Sequence, residues 1–203
     1  MKKEEIKAVI FDVGGVLYLG KKDYYLHVQK KLKLNPEEWK NLNKISFRKS
    51  WSKGKRVEEG LGRASKKLGI KKSELKMIWE NSLRENYRLN TGLLSIVKKL
   101  RKNYKTALLS NQWKITHKVM INKNILKIFD VSVFSHIVKS KKPEKKIYLI
   151  TLKRLKLKPK ECIFVDDQEI TLKPAKKLGM KTILYKNNLQ LIKDLKKHGV
   201  IKK

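Results

Sequence analysis

The stretch AVIFDVGGVL at residues 8–17 decides how the rest of the chain is interpreted. It begins with four apolar residues and turns polar at Asp12, which a pair of glycines follows closely. This pattern is typical of a buried strand that ends in a turn. Four later runs are also largely apolar, and segments with the helical spacing of apolar residues separate them. These runs occupy residues 106–109, 131–134, 162–165 and 182–185.

Strands that are apolar along their whole length are covered on both faces by other elements. Their alternation with helices predicts an α/β fold with a Rossmann-like, doubly wound parallel sheet. Residues 18–87 break the alternation, because they contain helical patterns but no clear strand. Asn35 followed by Pro36, for example, is typical of a helix start. We therefore predict an α/β core from residues 1–17 and 88–203, with an inserted α-helical domain at residues 18–87.

The composition is strongly basic. Lys and Arg number 52 against 18 Asp and Glu, which gives a formal net charge of +34, and 45 of the basic residues are Lys. A hydrophobic fraction of 40% excludes a wholly disordered polycation. The electrostatic field of so large a positive charge attracts polyanions at low salt, so we expect nonspecific binding of nucleic acid under those conditions. Because the Lys residues are spread along the chain rather than gathered in one stripe, the charge alone does not indicate a nucleic-acid site.

Cysteine usage and apolar run lengths indicate where the protein resides. A single cysteine, Cys162, excludes an internal disulfide. The apolar run that ends at Asp12 is too short for a signal peptide, and no stretch approaches the roughly 18 apolar residues of a membrane span. We expect a soluble cytoplasmic protein without a membrane partner.

Polar residues follow the predicted strands at the positions where ligands bind in wound parallel sheets, beyond the carboxyl ends of the strands. In chain order they are Asp12, then Ser110 and Asn111, then Lys142 in the loop after the third strand, and finally Asp166 and Asp167. The chain contains only six aspartates, and three of them stand at two strand ends. Three carboxylates at one sheet edge repel each other unless a cation neutralises them, and an all-oxygen ligand set favours Mg²⁺. The hydroxyl of Ser110, the backbone N–H groups at Ser110 and Asn111, and the ammonium of Lys142 are suitable donors for a phosphate bound to that metal.

Four motifs occur in an order that resembles the haloacid dehalogenase (HAD) superfamily. They are FDVGGVL at 11–17, LLSN at 108–111, KKPE at 141–144 and FVDD at 164–167. The first, Asp-x-Gly-Gly-Val-Leu, is similar to that of a phosphatase-like subgroup whose members carry a helical cap after the first strand. The resemblance covers nearly the whole chain, and it implies that residues 18–87 form such a cap.

The resemblance also assigns catalytic roles. It makes Asp12 the nucleophile that forms an aspartyl-phosphate. Ser110 would bond the transferring phosphoryl oxygens, Asn111 and Gly15 would bind the phosphate, and Lys142 would neutralise the charge of the nucleophile and the phosphate. The implied function is a hydrolase, a magnesium-dependent phosphatase for a small phosphorylated metabolite such as a sugar phosphate.

The implied metal ligands come from the first and last motifs. Asp12, Asp166, Asp167 and the backbone carbonyl of Gly14 would hold Mg²⁺. One departure matters, because family phosphatases usually carry a second aspartate where this chain has Gly14. General acid–base catalysis typically contributes about 10²- to 10⁴-fold, so we expect slower turnover but an intact attack by Asp12. The best substrates should then have leaving groups that need little protonation, such as anomeric sugar, aryl or acyl phosphates.

Two other hypotheses remain open at this stage. The first is a basic, nucleic-acid-associated binding module whose hydrolase site is weakened, which the net charge and Gly14 suggest. The second is a 2-haloacid dehalogenase, which attacks carbon without a metal and binds halide partly through an Arg after the first strand. Neither Tyr18 nor the lysine pair Lys21 and Lys22 supplies that pattern. The aspartate pair Asp166 and Asp167 favours a metal-dependent phosphatase over a dehalogenase.

Overall fold

The protein is described by a computed structural model that covers residues 5–20, 24–46 and 56–201. The strands in chain order are β1 (Ala8–Phe11), β2 (Tyr18–Gly20), β3 (Tyr87–Leu89), β4 (Lys105–Ser110), β5 (Val131–Phe134), β6 (Cys162–Asp166) and β7 (Lys181–Leu184). The helices are α1 (Tyr24–Lys31), α2 (Pro36–Ser46), α3 (Arg56–Leu68), α4 (Lys72–Asn86), α5 (Thr91–Leu100), α6 (Lys114–Met120), α7 (Lys123–Leu126), α8 (Ser135–Val138), α9 (Lys145–Leu155), α10 (Glu169–Lys177) and α11 (Asn188–Lys197). A short 3₁₀ turn at Pro159–Glu161 precedes β6.

Five of these strands form one parallel sheet in the order β5-β4-β1-β6-β7. Strand β1 lies in the centre, where Phe11 pairs with Leu108 of β4 on one side and with Val165 of β6 on the other. The predicted α/β, doubly wound parallel sheet is therefore confirmed. Because all five strands run in the same direction, their carboxyl ends meet along one edge of the sheet.

Both faces of the sheet are covered. Val9 and Phe11 of β1 belong to a buried cluster that includes α5, α11 and the inserted helices, whereas Ala8 and Ile10 belong to a second cluster with α9 and α10. All four of these β1 residues are fully buried. This two-sided burial explains why the strands lack the polar alternation of a half-exposed sheet.

Helices α1 to α4 lie between β2 and β3, which pair antiparallel with Gly20 opposite Tyr87. The expectation of no strand within residues 18–87 is wrong at both ends of that segment. Each of these strands has three residues, and the partners come from opposite ends of the insertion, so no local periodicity marks them. Residues 21–23 and 47–55 lie outside the described residues. The domain boundary at 18–87 stays a prediction.

The start of α2 is confirmed by its capping contacts. Oδ1 of Asn35 accepts hydrogen bonds from the N–H groups of Glu37 at 3.0 Å and Glu38 at 2.9 Å. The carboxylate of Glu38 in turn accepts the N–H of Asn35 at 2.8 Å. Each side chain thus satisfies a backbone donor that the first helical turn leaves without an intrahelical partner.

The helices of the described residues include none that is both long enough and apolar enough to cross a membrane.

Candidate active site

Three carboxylates meet at the carboxyl edge of the sheet. Asp12 directly follows β1, Asp166 ends β6, and Asp167 comes next in the chain. One carboxylate oxygen from each lies within 4.8 Å of the others. Asp12 is 6% exposed and Asp166 is fully buried, so this cluster concentrates negative charge where water does not screen it.

Lys142 supplies a buried positive charge to this cluster. Its Nζ lies 2.9 Å from Oδ1 of Asp12 and 2.6 Å from Oδ2 of Asp166. Asn111 holds the main chain of Lys142 from both sides, because its Nδ2 donates to the Lys142 carbonyl at 3.0 Å and its Oδ1 accepts the Lys142 N–H at 2.8 Å. The side chain of Asn111 thus positions Lys142. The predicted contact of the Asn111 backbone N–H with phosphate stays a prediction.

The pKa values reflect this burial of charge. The pKa of Asp12 is raised to about 6, mainly because burial removes the carboxylate from water. The Lys142 ammonium opposes this rise, and the negative charge of Asp166 adds to it. Burial lowers the pKa of Lys142, but Asp12 and Asp166 outweigh that effect and leave it raised above its ordinary value. The Lys142 ammonium therefore lies between two of the three carboxylates and offsets part of their negative charge.

The loop after β1 contains two glycines with different surroundings. Gly15 adopts a φ of +78°, and a β-carbon there would lie 2.3 Å from Oδ2 of Asp167, so the carboxylate occupies the space that a side chain would need. A β-carbon on Gly14 would meet no heavy atom within 4 Å. The N–H of Gly15 donates to the Tyr18 carbonyl at 2.9 Å, and the N–H of Tyr18 donates to the Val13 carbonyl at 2.8 Å. The predicted contact of Gly15 with phosphate stays a prediction.

The carboxylate cluster opens into a cavity of about 740 Å³. Its charged and polar lining includes Asp12, Ser110, Lys142 and Asp167, together with Asn111, Gln112, Thr116, Gln168, Thr171 and Lys186. The aromatic and aliphatic part of its wall comes from β2, the inserted helices, β3, the loop after β4 and α6. These wall residues include Leu19, Tyr25, Leu83, Tyr87, Trp113 and Met120.

Sequence reasoning missed Gln112, Trp113 and Tyr25 as cavity residues. Gln112 and Trp113 follow Ser110 and Asn111 directly, so their place after a strand end was an available signal. Tyr25 had no such signal, because it belongs to α1 and reaches the cavity only through tertiary packing. Its ring lies 6.5 Å from that of Trp113 and 6.2 Å from that of Trp79, in edge-to-face contacts.

The donor set fits a small divalent cation. Asp12, Asp166 and Asp167 are the three residues that bring potential ligand oxygens together, and all the donors are hard oxygens of the kind that Mg²⁺ prefers. The cation would also relieve the excess negative charge beside Lys142. Among the described residues, no other group of three or more His, Cys, Asp or Glu has this geometry.

Comparison with known proteins agrees with this picture. The model of the haloacid dehalogenase-like hydrolase family matches residues 6–179. Bifunctional epoxide hydrolase 2 of Sus scrofa is 30% identical over 152 residues, which cover 70% of this chain and 27% of that protein. A phosphorylated carbohydrates phosphatase of Thermotoga maritima is 39% identical over 57 residues, which cover 28% of this chain and 26% of that protein. The matches thus span about a quarter of the length of these two curated relatives.

Solved structures match over much more of their length. A HAD family enzyme of Bacteroides thetaiotaomicron is 26% identical with a TM-score of 0.77, and the match covers 90% of this chain and 95% of that chain. The same wild-type enzyme has been solved in complex with magnesium and inorganic phosphate, with 25% identity, a TM-score of 0.75 and coverage of 92% of this chain and 98% of that chain.

Proposed function

This chain belongs to the haloacid dehalogenase-like hydrolase family, and we propose that it is a magnesium-dependent phosphatase that acts on a small phosphorylated metabolite. The main support for this proposal is the cluster of Asp12, Asp166 and Asp167, two of which contact Lys142. The cluster opens into a cavity large enough for a small molecule. The magnesium and phosphate complex of the Bacteroides enzyme supports this proposal.

In this proposal, Asp12, Asp166, Asp167 and the carbonyl of Gly14 hold Mg²⁺. When bound, the ion supplies positive charge that draws electron density from the phosphoryl oxygens. The ammonium of Lys142 is already fixed in the same cluster and neutralises further charge without rearrangement. Asn111 hydrogen-bonds the main-chain carbonyl and N–H of Lys142, and so fixes the backbone from which this side chain extends.

Asp12 is the proposed nucleophile. The N–H of Val13 donates to its Oδ1 at 2.7 Å, and Nζ of Lys142 lies 2.9 Å from the same atom. These contacts fix the orientation of the carboxylate before substrate arrives. A carboxylate oxygen of Asp12 then forms a bond to phosphorus, while the bond from phosphorus to the leaving-group oxygen breaks and that oxygen keeps the electron pair. Water later adds to phosphorus, and Asp12 departs as a carboxylate.

The leaving group must depart without help from a second aspartate, because Gly14 occupies that position. We therefore propose substrates whose leaving groups need little protonation, namely anomeric sugar, aryl or acyl phosphates. The rings of Tyr25, Tyr87 and Trp113 on the cavity wall favour the ring-bearing members of this set. The helical insertion contributes Tyr25 and Leu83 to that wall, so we propose that it acts as the substrate-selecting cap.

A panel of phosphate esters tests the proposal, with and without Mg²⁺, on the wild-type full chain and on Asp12→Asn. The expected result is metal-dependent phosphate release that is lost in Asp12→Asn, and a phosphoenzyme that only the wild type forms. Asp194→Asn is the matched control, because Asp194 pairs at the surface with Lys197 at 3.1 Å. Equal activity of the wild type and Asp12→Asn would refute the proposal.

The net charge of +34 favours a second candidate, a polyanion-binding module. Electrostatic binding of this kind weakens steeply as salt rises, because it depends on counterion release. Absence of hydrolysis in the panel, together with nucleic-acid affinity that survives physiological salt, would favour this candidate. Halide release from a 2-haloacid without metal would instead support the dehalogenase hypothesis.

A further inference from the structure

Gln112 is a buried polar residue of the cavity and has no part in the proposed metal site or in the attack of Asp12 on phosphorus. It is 4% exposed and lines the cavity together with Asp12 and Gly14. Its main chain is held to the residue after β5, because its N–H donates to Oγ of Ser135 at 3.1 Å and its carbonyl accepts from the same hydroxyl at 3.2 Å. The position of Gln112 is thus fixed by two neighbouring strands.

The amide of Gln112 is oriented by Ser110. Nε2 of Gln112 lies 3.3 Å from Oγ of Ser110 and donates a hydrogen bond to it. Because an amide nitrogen only donates hydrogen bonds, the Ser110 hydroxyl is the acceptor in this contact. The oxygen end of the amide, Oε1, has no hydrogen-bond donor among the residues that the structure describes.

A buried acceptor without a donor costs about 1–3 kcal/mol, so a persistent one needs an explanation. Three other polar side chains of the cavity already have hydrogen-bond partners. Asn111 uses both ends of its amide on Lys142, and the hydroxyl of Thr116 both donates to and accepts from the main chain of Trp113. The hydroxyl of Thr171 donates to the Gln168 carbonyl at 2.8 Å.

The space beside Gly14 is open, since a β-carbon there would meet no heavy atom within 4 Å. A second carboxylate would begin at this point, and its absence leaves room for a water molecule in the same cavity that Gln112 lines. The terminal torsion of a Gln side chain is broad, so a small rotation of the amide can present Oε1 to that water.

We propose that Gln112 orients the water that hydrolyses phosphorylated Asp12, an inference that rests on the proposed phosphatase function. Oε1 accepts one hydrogen of the water, whose oxygen forms a bond to phosphorus while the bond from phosphorus to the Asp12 oxygen breaks. Asp12 leaves as a carboxylate, and the water's two hydrogens remain on the product, dihydrogen phosphate. A neutral amide does not take up a proton, so Gln112 orients the water and does not act as a base.

The first test measures the decay of the phosphoenzyme in the wild type, Gln112→Met and Gln112→Glu. Methionine has a similar length but does not orient water well, so its phosphoenzyme should decay on the order of 10²-fold more slowly and accumulate in the steady state. A carboxylate in Gln112→Glu accepts from the water again and can also take its proton. Decay should therefore recover in Gln112→Glu and gain a rate that rises with pH. Gln29→Met is the control for loss of a buried Gln, because Gln29 bonds the Leu34 carbonyl within the insertion.

The second test needs no turnover. With Mg²⁺ present, beryllium fluoride mimics the phosphoenzyme, whereas aluminium fluoride mimics the transition state in which water attacks. Gln112→Met should weaken aluminium fluoride binding, measured by calorimetry, much more than beryllium fluoride binding. The inference would be overturned if Gln112→Met bound aluminium fluoride and beryllium fluoride as tightly as the wild type does, or if its phosphoenzyme decayed at the wild-type rate. Either result would leave the phosphatase proposal intact. A wild type that forms no phosphoenzyme and binds neither fluoride would refute both.

Discussion

Gly15 and Asp167 are in such close contact that a β-carbon on Gly15 would lie 2.3 Å from Oδ2 of the carboxylate. In Gly15→Ala, Asp167 has to move away from the other two carboxylates of the cluster. If Asp167 is a metal ligand as proposed, Mg²⁺ affinity, measured by calorimetry, falls at least tenfold. The positive φ of +78° adds strain of roughly 1–2 kcal/mol, which would appear as lower stability to urea.

Gly69→Ala separates the two effects of this change. Gly69 has a φ of +67°, but a β-carbon there would meet nothing within 4 Å. The control should therefore lose a similar amount of stability and keep the Mg²⁺ affinity of the wild type. Equal Mg²⁺ affinity in Gly15→Ala and Gly69→Ala would show that Asp167 is not a ligand.

Gly14→Asp should broaden the substrate range. The open space at this position accommodates the new side chain, and its carboxyl group can protonate a leaving-group oxygen. Turnover of simple alkyl phosphates should rise by up to about 10²- to 10⁴-fold, while turnover of aryl phosphates changes little. Steady-state kinetics on both substrate classes provide the measurement. Gly14→Asn has the same size without the acid, and a similar gain in that variant would argue against acid catalysis.

Lys142→Met should destabilise the protein strongly. The lysine side chain is 2% exposed and contacts both Asp12 and Asp166, so its removal leaves two buried carboxylates without their cation. Loss of one member of a buried ion pair costs about 3–5 kcal/mol of unfolding free energy. Added Mg²⁺ should restore part of the lost unfolding free energy, because it replaces the missing positive charge.

Lys118→Met is the surface counterpart of that variant. Lys118 pairs with Glu80 at 3.5 Å, and its side chain is 65% exposed. Exposed pairs of this kind contribute about 0–1 kcal/mol. Urea unfolding of both variants, with and without Mg²⁺, compares the two pairs, and similar losses would contradict a special role for Lys142.

Stability should fall as pH decreases from about 6.5 to about 4, in part through His136. Burial lowers the pKa of His136 to about 4, and the nearby charges of His117, Lys139 and Lys114 lower it as well, while a hydrogen bond with the Gln112 main chain raises it. Between the two pKa values the unfolded chain binds a proton that the folded chain does not, so acid favours unfolding.

His136→Gln removes this titration. Its melting temperature should therefore depend less on pH over that window than that of the wild type, as measured by circular dichroism. His117→Gln removes one cause of the lowered pKa and should give an intermediate slope. Parallel curves for all three proteins would rule out His136 as the source.

Much of the fold could be predicted from local patterns. Residues 8–11 and 162–165 lie in strands as predicted, because runs buried on both faces need apolar side chains throughout. The positions of Asp12, Ser110 and Asp166 at one edge follow from strand direction alone. The strands at Tyr18–Gly20 and Tyr87–Leu89 could not be predicted, since each is too short to show a period and forms only by pairing with the other.

The sequence by itself determined the parallel sheet and the residue types at its carboxyl edge, because apolar periodicity and strand ends are local properties of the chain. Only the tertiary structure decided that Lys142 bridges two carboxylates and that Asn111 holds its main chain. It also decided that the amide oxygen of Gln112 meets no donor within the described part of the chain. These relationships join segments that are distant in the chain. They depend on how helices and loops pack together, which no local pattern records.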